Sequence, residues 1–283
     1  MPEGDTIFRT ARALSRALTG KPIIRFSTEF AQIARANDEH AFVGQTIDHI
    51  EARGKWLLIY LSEGSILATH MLMSGSWHIY RPGERWQQPQ SNARIILETA
   101  DYLAVAFRVP VARMHTEESL ARDSKIPQPS KDVLKENFDA EATIVRMKAH
   151  SGEEIANVLL RQDVLAGIGN AFKSEICFLE GLSPFQKIAM LSDEKLRQVV
   201  ATARRLLAAN ILEDSGDNIV TYQGRMRRTT RSADPGASLW VYRRNGEQCR
   251  KCGETIQRCL QGQNARSTYW CPACQPLPAV LSS

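Results

Sequence analysis

Apolar residues recur at helical spacing near the start of the chain. Ile7, Ala11, Leu14 and Leu18 fall at i, i+4, i+7 and i+11, which puts them on one face of a helix. Asp5 or Thr6 is expected to cap its start and Gly20 to end it. From about Ile23 to about Val111 the pattern changes to short apolar runs bounded by Gly, Pro or Asn: residues 56–61, 65–69, 77–80 and 94–97. Closely spaced strands after a single helix predict an antiparallel β-sandwich. The composition breaks at Pro127-Gln128-Pro129-Ser130, as at a domain boundary. Beyond it the period is helical, with candidate helices over 131–137, 153–161, 171–180 and 193–210. Residues 213–236 show no period, carry Arg225, Arg227, Arg228 and Arg231, and read as a mobile loop. The pattern predicts an α+β chain with an N-terminal domain over 1–128, a helical domain with the loop over 129–236 and a small cysteine-bearing domain over 237–276.

Composition narrows the partners rather than the fold. The 283 residues carry a formal net charge of +5. That bias favours a polyanionic partner without selecting one. No apolar run is long enough to cross a bilayer. The polar, acidic start Met1-Pro2-Glu3-Gly4-Asp5 lacks the basic-then-apolar layout of a secretory signal. A cytoplasmic protein is expected, with its six cysteines reduced, so a tight cluster of them points to metal rather than disulfides.

Five of the six cysteines lie near the C-terminus. Cys249-x-x-Cys252 is followed after eighteen residues by Cys271-x-x-Cys274. Each pair lets two thiolates converge on one ion, and two such turns complete a tetrahedral zinc shell. Four thiolates leave no position for water, so the zinc would be structural. Cys177 and Cys259 fall outside the pattern, as core or surface residues. Arg243, Arg244, Arg250, Lys251, Arg258 and Arg266 crowd this segment and suit phosphate contact, although each is also what a solvated face would show.

Two further features can carry chemistry. Removal of Met1 would leave Pro2 with a free secondary amine, able to attack an electrophilic carbon and form a cationic imine. A helix starting within a few residues disfavours the charged amine, and the adjacent Glu3 could move protons. On their own these residues are also an ordinary polar start. Residues 161–170, Arg-Gln-Asp-Val-Leu-Ala-Gly-Ile-Gly-Asn, join two helical patterns. Gly167 and Gly169 allow positive φ and close backbone approach, and Asn170 is placed to cap the next helix and face an anion. The spacing equally fits a tight structural turn.

Taken in order, these pieces resemble the formamidopyrimidine-DNA glycosylase / endonuclease VIII family along nearly the whole chain. The carrying motifs are Met1-Pro2-Glu3-Gly4, Arg53-Gly54-Lys55 opening a strand, His70 to Gly75 with Met73-Ser74-Gly75, Ala166 to Asn170, and the four-cysteine ribbon with Arg266-Ser267-Thr268 ahead of Cys271-Pro272. The resemblance implies a sandwich, a helix–two-turn–helix domain and a C-terminal zinc ribbon. It implies that Pro2 attacks C1′ of a flipped-out nucleotide and Glu3 manages protons at the sugar. Lys55 would sit at the lesion phosphates and assist elimination, Asn170 would hold phosphates, Arg266 would contact phosphates and take part in the second elimination, and Met73 would fill the gap left by the base. Met73 also reads as a plain strand-end residue. The implied partner is damaged DNA, double-stranded, bound by a monomer. The departures are Asp5-Thr6, where the family often has Glu at position 6, and Phe107-Arg108-Val109-Pro110, which matches the family's wedge segment only loosely. Arg227 to Arg231 and Leu239-Trp240-Val241-Tyr242 look more like the endonuclease VIII side, which favours oxidised pyrimidines. The competing readings are an 8-oxoguanine enzyme of the same fold and a non-catalytic DNA-binding protein that would not depend on Pro2.

Overall fold

The computed structural model describes residues 2–212, 229–230 and 238–277. Met1, Arg225, Arg227, Arg228 and Arg231 lie outside the described residues, as does the expected loop over 213–236 apart from Thr229 and Thr230. The chain divides into two compact units, the first running to Gln128 and the second beginning at Pro129.

The first unit opens with α1, Gly4–Leu18. The helix begins one to two residues earlier than its expected cap. Glu3 occupies the N-cap without a side-chain cap bond, and its carbonyl accepts from Thr6 and Ile7. Asp5 and Thr6 therefore lie inside the first turn, where an acidic side chain meets the positive end of the helix. Ile7, Ala11, Leu14 and Leu18 are all buried, as the spacing requires.

Two four-stranded antiparallel sheets follow. One has the order β2 (Ile47–Arg53), β3 (Trp56–Leu61), β4 (Ile66–His70), β8 (Val111–His115). The other has β1 (Arg25–Thr28), β6 (Ala93–Glu98), β7 (Leu103–Phe107), β5 (Ser76–Tyr80). One core joins them: Leu57 and Ile59 from β3, Trp77 and Ile79 from β5 and Ala104 and Ala106 from β7 share it with the apolar face of α1. The central strands are buried on both faces, which is why they read as unbroken apolar runs. Trp56 and Leu58 face a second cluster with Leu120 of α3 (Glu117–Arg122) and Ile126, while Val105 and Phe107 pack with Tyr80 and Trp86. Helix α2 (Ala31–Glu39) buries only Ile33 fully, and that weak stripe gave no sequence signal.

The second unit holds α4 (Ala140–Lys148), α5 (Ile155–Leu159), α6 (Asn170–Leu179) and α7 (Asp193–Leu212), followed by the hairpin of β9 (Gln257–Gln261) and β10 (Arg266–Trp270). Helices expected at 171–180 and 193–210 are present. The one expected at 131–137 is not: only a single 3-10 turn, Pro129–Lys131, forms there. Asp132 is buried and its carboxylate accepts from the Leu134 amide at 3.0 Å, an Asx turn that competes with helix. The helix expected over 153–161 shortens to five residues. Its front is held by a neighbouring extended segment, with Ile155 and Ala156 donating to the carbonyls of Gln186 and Pro184. Its end is fixed by Gln162, whose amide donates to Leu160 and Ile168 carbonyls and accepts from Gly167.

Helix α6 anchors the ribbon through fully buried polar side chains. The Glu175 carboxylate accepts from the amides of Trp240, Val241 and Tyr242, each at 2.9 Å, and from the Thr229 hydroxyl. Lys173 Nζ donates to Thr268 Oγ1 on β10 at 2.7 Å, and the chain continues from Thr268 to Gln261 and from Gln261 to Glu154. Replacing Glu175 by Ala leaves the buried Val241 amide and the half-buried Trp240 and Tyr242 amides without acceptors. It is expected to cost on the order of 3 kcal/mol, measured by denaturant unfolding; a loss below about 1 kcal/mol would show the anchor to be dispensable.

Candidate active site and metal centre

In the first unit, Pro2 is half-buried and Glu3 buried, immediately ahead of α1. The helix packs against β2, β3 and β5, which fixes the N-terminus to the frame of the sandwich. Lys55 lies in the two-residue turn between β2 and β3, just ahead of the strand it was expected to open. Across the β3–β4 ladder, Trp56 pairs with His70. Burial, and then the Lys55 cation, push the His70 imidazole down to about 4. His70 is therefore neutral at physiological pH, and its Nδ1 accepts from the Leu72 amide at 3.1 Å. Sequence reasoning assigned His70 no role; its neutral state depends on the tertiary neighbours that bury it.

The segment from His70 to Gly75 passes from one sheet to the other. Met71 is buried while Met73 is 70% exposed, with the exposed Leu72 beside it at a φ of 44°. Gly75 closes the turn by donating to the Met71 carbonyl at 2.8 Å. A Cβ there would lie 2.7 Å from that same carbonyl oxygen, so only glycine fits. The turn thus projects two apolar side chains, Leu72 and Met73, into solvent, a shape suited to entering an apolar gap.

In the second unit, Asn170 does not cap α6. Gly169 takes the N-cap and Asn170 is the first helical residue, because the extended backbone that a cap needs falls one position earlier. Of the two glycines expected to allow positive φ, Gly167 has a φ of 102° while Gly169 is extended at −127°. The Asn170 Oδ1 is buried without a hydrogen-bond partner, so the amide is not spent on internal structure. Arg266 is exposed at the start of β10, and β10 packs against α6. The Arg244 guanidinium, by contrast, is nearly buried and bonds the carbonyls of Trp240 and Gln248 and the Glu247 carboxylate. It braces the ribbon and is not available to phosphate, a correction to its grouping with the other basic residues.

The four cysteine sulfurs converge. Sγ atoms of Cys249, Cys252, Cys271 and Cys274 all lie within 4.8 Å of one another, with Cys249–Cys274 at 3.9 Å and Cys252–Cys271 at 3.4 Å. A tetrahedral ion at Zn–S of about 2.3 Å needs sulfur separations of about 3.8 Å, so the donor set fits. No disulfide forms among the four. Burial and the neighbouring thiols push the Cys271 and Cys274 thiols up, which is the crowding a bound cation would relieve. Cys177 is buried and Cys259 half-exposed, both outside the cluster.

Pro2, Glu3, Lys55 and Met73 therefore belong to the first unit, and Asn170, Arg266 and the four cysteines to the second. Family models match in the same order: the formamidopyrimidine-DNA glycosylase N-terminal domain over residues 1–110 and its H2TH domain over 130–221. The chain is 34% identical over 282 residues to the probable endonuclease 8 2 of Streptomyces coelicolor, covering 99% of this chain and 95% of that one. It is 34% identical over 276 residues to the DNA-(apurinic or apyrimidinic site) lyase Nei2 of Mycolicibacterium smegmatis, covering 97% and 99%. The endonuclease 8 of Klebsiella pneumoniae is 32% identical over 284 residues, covering 97% and 100%. Among solved structures, Lactococcus lactis formamidopyrimidine DNA glycosylase bound to DNA with an AP site aligns at a TM-score of 0.78, with 20% identity over 97% of this chain and 100% of that one. MutM in complex with DNA containing carbocyclic 8-oxo-G aligns at 0.79, with 20% identity over 98% and 100%. At that identity, these two establish the fold.

Burial holds His70 and His78 near 4 against an ordinary value of 6.5. Between those values the unfolded chain takes up protons that the folded chain refuses, so stability falls as pH drops through about 6.5 to 4. The melting temperature is expected to fall across that window, and His70→Asn, which keeps an acceptor for the Leu72 amide, is expected to flatten part of the fall. An identical pH profile in the variant would show that His70 does not titrate as its burial dictates.

Proposed function

The chain belongs to the formamidopyrimidine-DNA glycosylase family, and from that membership we propose that it is a bifunctional DNA glycosylase and AP lyase of base excision repair that works through Pro2. The reading draws most support from the setting of Pro2: half-buried, next to the buried Glu3, at the positive end of α1.

A duplex hides C1′ and the glycosidic bond, so the damaged nucleotide must leave the stack. The Pro2 nitrogen, freed by loss of Met1, then attacks C1′. The N–C1′ bond forms, the bond from C1′ to the base breaks, and the base leaves with a proton. Glu3 gives a proton to the ring oxygen as the sugar opens, leaving a cationic imine. The imine acidifies the 2′ proton. Its removal expels the 3′ phosphate, and a second elimination expels the 5′ phosphate, before water releases Pro2. Lys55 and Asn170 hold the phosphates around the lesion, Arg266 adds a phosphate contact and serves the second elimination, and Met73 fills the space of the extruded base.

Cys249, Cys252, Cys271 and Cys274 hold one structural zinc, whose closed shell takes no part in the reaction. The working arrangement is a catalytic sandwich over 1–128, a DNA-binding helical domain over 129–236 and a zinc ribbon over 237–276, acting as a monomer on double-stranded DNA in the cytoplasm. No described helix is long and apolar enough to cross a membrane. Oxidised pyrimidines are the favoured lesions, in keeping with the relatives named endonuclease 8.

Borohydride trapping on a duplex carrying one oxidised pyrimidine tests the nucleophile. Wild type should give a covalent protein–DNA band, and Pro2→Gly should lose it while keeping most of its affinity for the duplex. Absence of any band on oxidised-pyrimidine, 8-oxoguanine and abasic DNA would leave a non-catalytic DNA-binding protein. A band on 8-oxoguanine DNA alone would reverse the lesion preference. Metal analysis should find one zinc per chain, and Cys252→Ser should lose zinc and duplex binding together; normal binding without zinc would remove the ribbon from the phosphate grip.

A further inference from the structure

Strands β5 and β6 follow one another in the chain but are not neighbours in the sheet, because β7 lies between them. Tyr80, the last residue of β5, pairs with Leu103, whereas Ala93, the first of β6, lies opposite Phe107. Residues 81–92 therefore travel the length of β7 to make the connection. They cross the face turned away from the shared core, and Trp86 holds them there. Its ring stacks on Tyr80, with centroids 6.0 Å apart at 20°, and meets Phe107 edge-on at 5.6 Å and 78°.

A polar line runs beneath this strap along β5. Ser76, His78 and Tyr80 share the face opposite Trp77 and Ile79, as the alternation of a strand requires. The Tyr80 hydroxyl accepts from the Gln87 amide at 3.1 Å and lies 3.0 Å from His78 Nδ1. His78 Nε2 lies 2.9 Å from Ser76 Oγ, which also accepts from Gln88 Nε2 at 3.3 Å. A neutral imidazole offers one donor and one acceptor, so it serves both hydroxyls. The strap is thus fastened to β5 at each end of that line.

The strap also reaches two exposed turns. Ser76 follows directly on Gly75, which closes the turn presenting Leu72 and Met73. Asn92, the last residue of the strap, accepts from the Arg108 amide at 2.8 Å. Leu72 and Arg108 have φ of 44° and 50°, a conformation that residues other than glycine keep only when their surroundings over-determine it. The two turns pack on one another, since a Cβ on Gly75 would lie 3.0 Å from Val109 Cα. A side chain that must enter a base stack has to be held while it does so, and the fastenings at Ser76 and Asn92 hold this one from both sides.

We propose that the 81–92 strap positions the Leu72–Met73 turn for entry into the base stack, with Trp86 and Gln88 as positioning residues that act through the turn. The proposal rests on the DNA-processing function given above and on the place given there to Met73, and it adds the element that holds that side chain in its working position.

The test compares strand cutting at an abasic site in a duplex with cutting at the same site in a single strand, where no paired stack has to be opened. Trp86→Ala should lower the duplex rate by roughly tenfold or more while the single-strand rate holds. Gln88→Leu, which keeps the bulk and removes the donor, should lower the duplex-to-single-strand ratio several-fold. Trp86→Phe, which keeps a stacking ring, should restore most of what Trp86→Ala loses. In a Leu72→Ala/Met73→Ala background nothing remains to be positioned, so neither strap substitution should lower the ratio further. An unchanged ratio in a normally melting Gln88→Leu, or a strap effect that persists in full in that background, overturns the assignment. If Trp86→Ala loses both rates along with its melting temperature, Gln88→Leu in the two backgrounds decides. If Leu72→Ala/Met73→Ala itself leaves the ratio unchanged, the insertion role falls and the strap's with it. If wild type cuts neither substrate, it is the DNA-processing reading that falls, and this one with it.

Discussion

The second unit depends on one buried carboxylate. Glu175 sits on α6 with no exposure and spends both oxygens on the Trp240, Val241 and Tyr242 amides and the Thr229 hydroxyl. An anion buried in this way is tolerated only when its lone pairs are filled, and backbone amides fill them without mobile partners. The entry to the ribbon is thereby tied to the same helix that begins at Asn170. Lys173, two residues earlier, fixes the hairpin through Thr268. The four-cysteine cluster then brings together the segments before and after the hairpin. Helix start, hairpin and cysteine cluster are consequently linked through α6, which brings residues far apart in sequence together.

The first unit meets a different demand. The residue expected to react lies at a chain end, where order is ordinarily weakest. Here the end is fixed because α1 starts at Gly4 and buries Ile7, Ala11, Leu14 and Leu18 in the sandwich core. The apolar stripe of α1 is thus the structural condition for any defined geometry at Pro2. The same core carries Trp77 of β5, which follows directly on the turn that presents Met73.

Which parts were legible in the sequence follows from how local each cause is. The cysteine pairs were readable because a metal site needs two ligands per turn, a constraint expressed within four residues. The α1 stripe and the doubly buried strands were readable because packing imposes a period. The absent helix over 131–137 was misread because the Asp132 carboxylate bonds the Leu134 amide, a choice no apolar pattern reveals. Asn170 was assigned a cap that Gly169 fills, a one-residue offset at the least certain kind of boundary. Lys173 and Glu175 were invisible for a stronger reason. A charged pair on a helix normally marks a solvated face, and only the folded neighbours show that both are buried and partnered. The roles proposed for Pro2, Lys55 and Arg266 rest on family resemblance, since none of the three has a spacing that would single it out.

The candidates carried by turns share a feature with an energetic reason. Met73 and Arg266, both exposed, and the half-buried Lys55 all sit in or beside short turns rather than in long loops. A phosphate contact made from a flexible loop gives back much of its gain in ordering entropy. Each of these turns is instead held by a specific internal bond: the Trp56–His70 pairing behind Lys55, the Gly75 amide on Met71 behind Met73 and the Ala265 amide on Gly262 behind Arg266. Those bonds order the turns without a ligand, so the phosphate contacts proposed for Lys55 and Arg266 would not have to supply that order themselves.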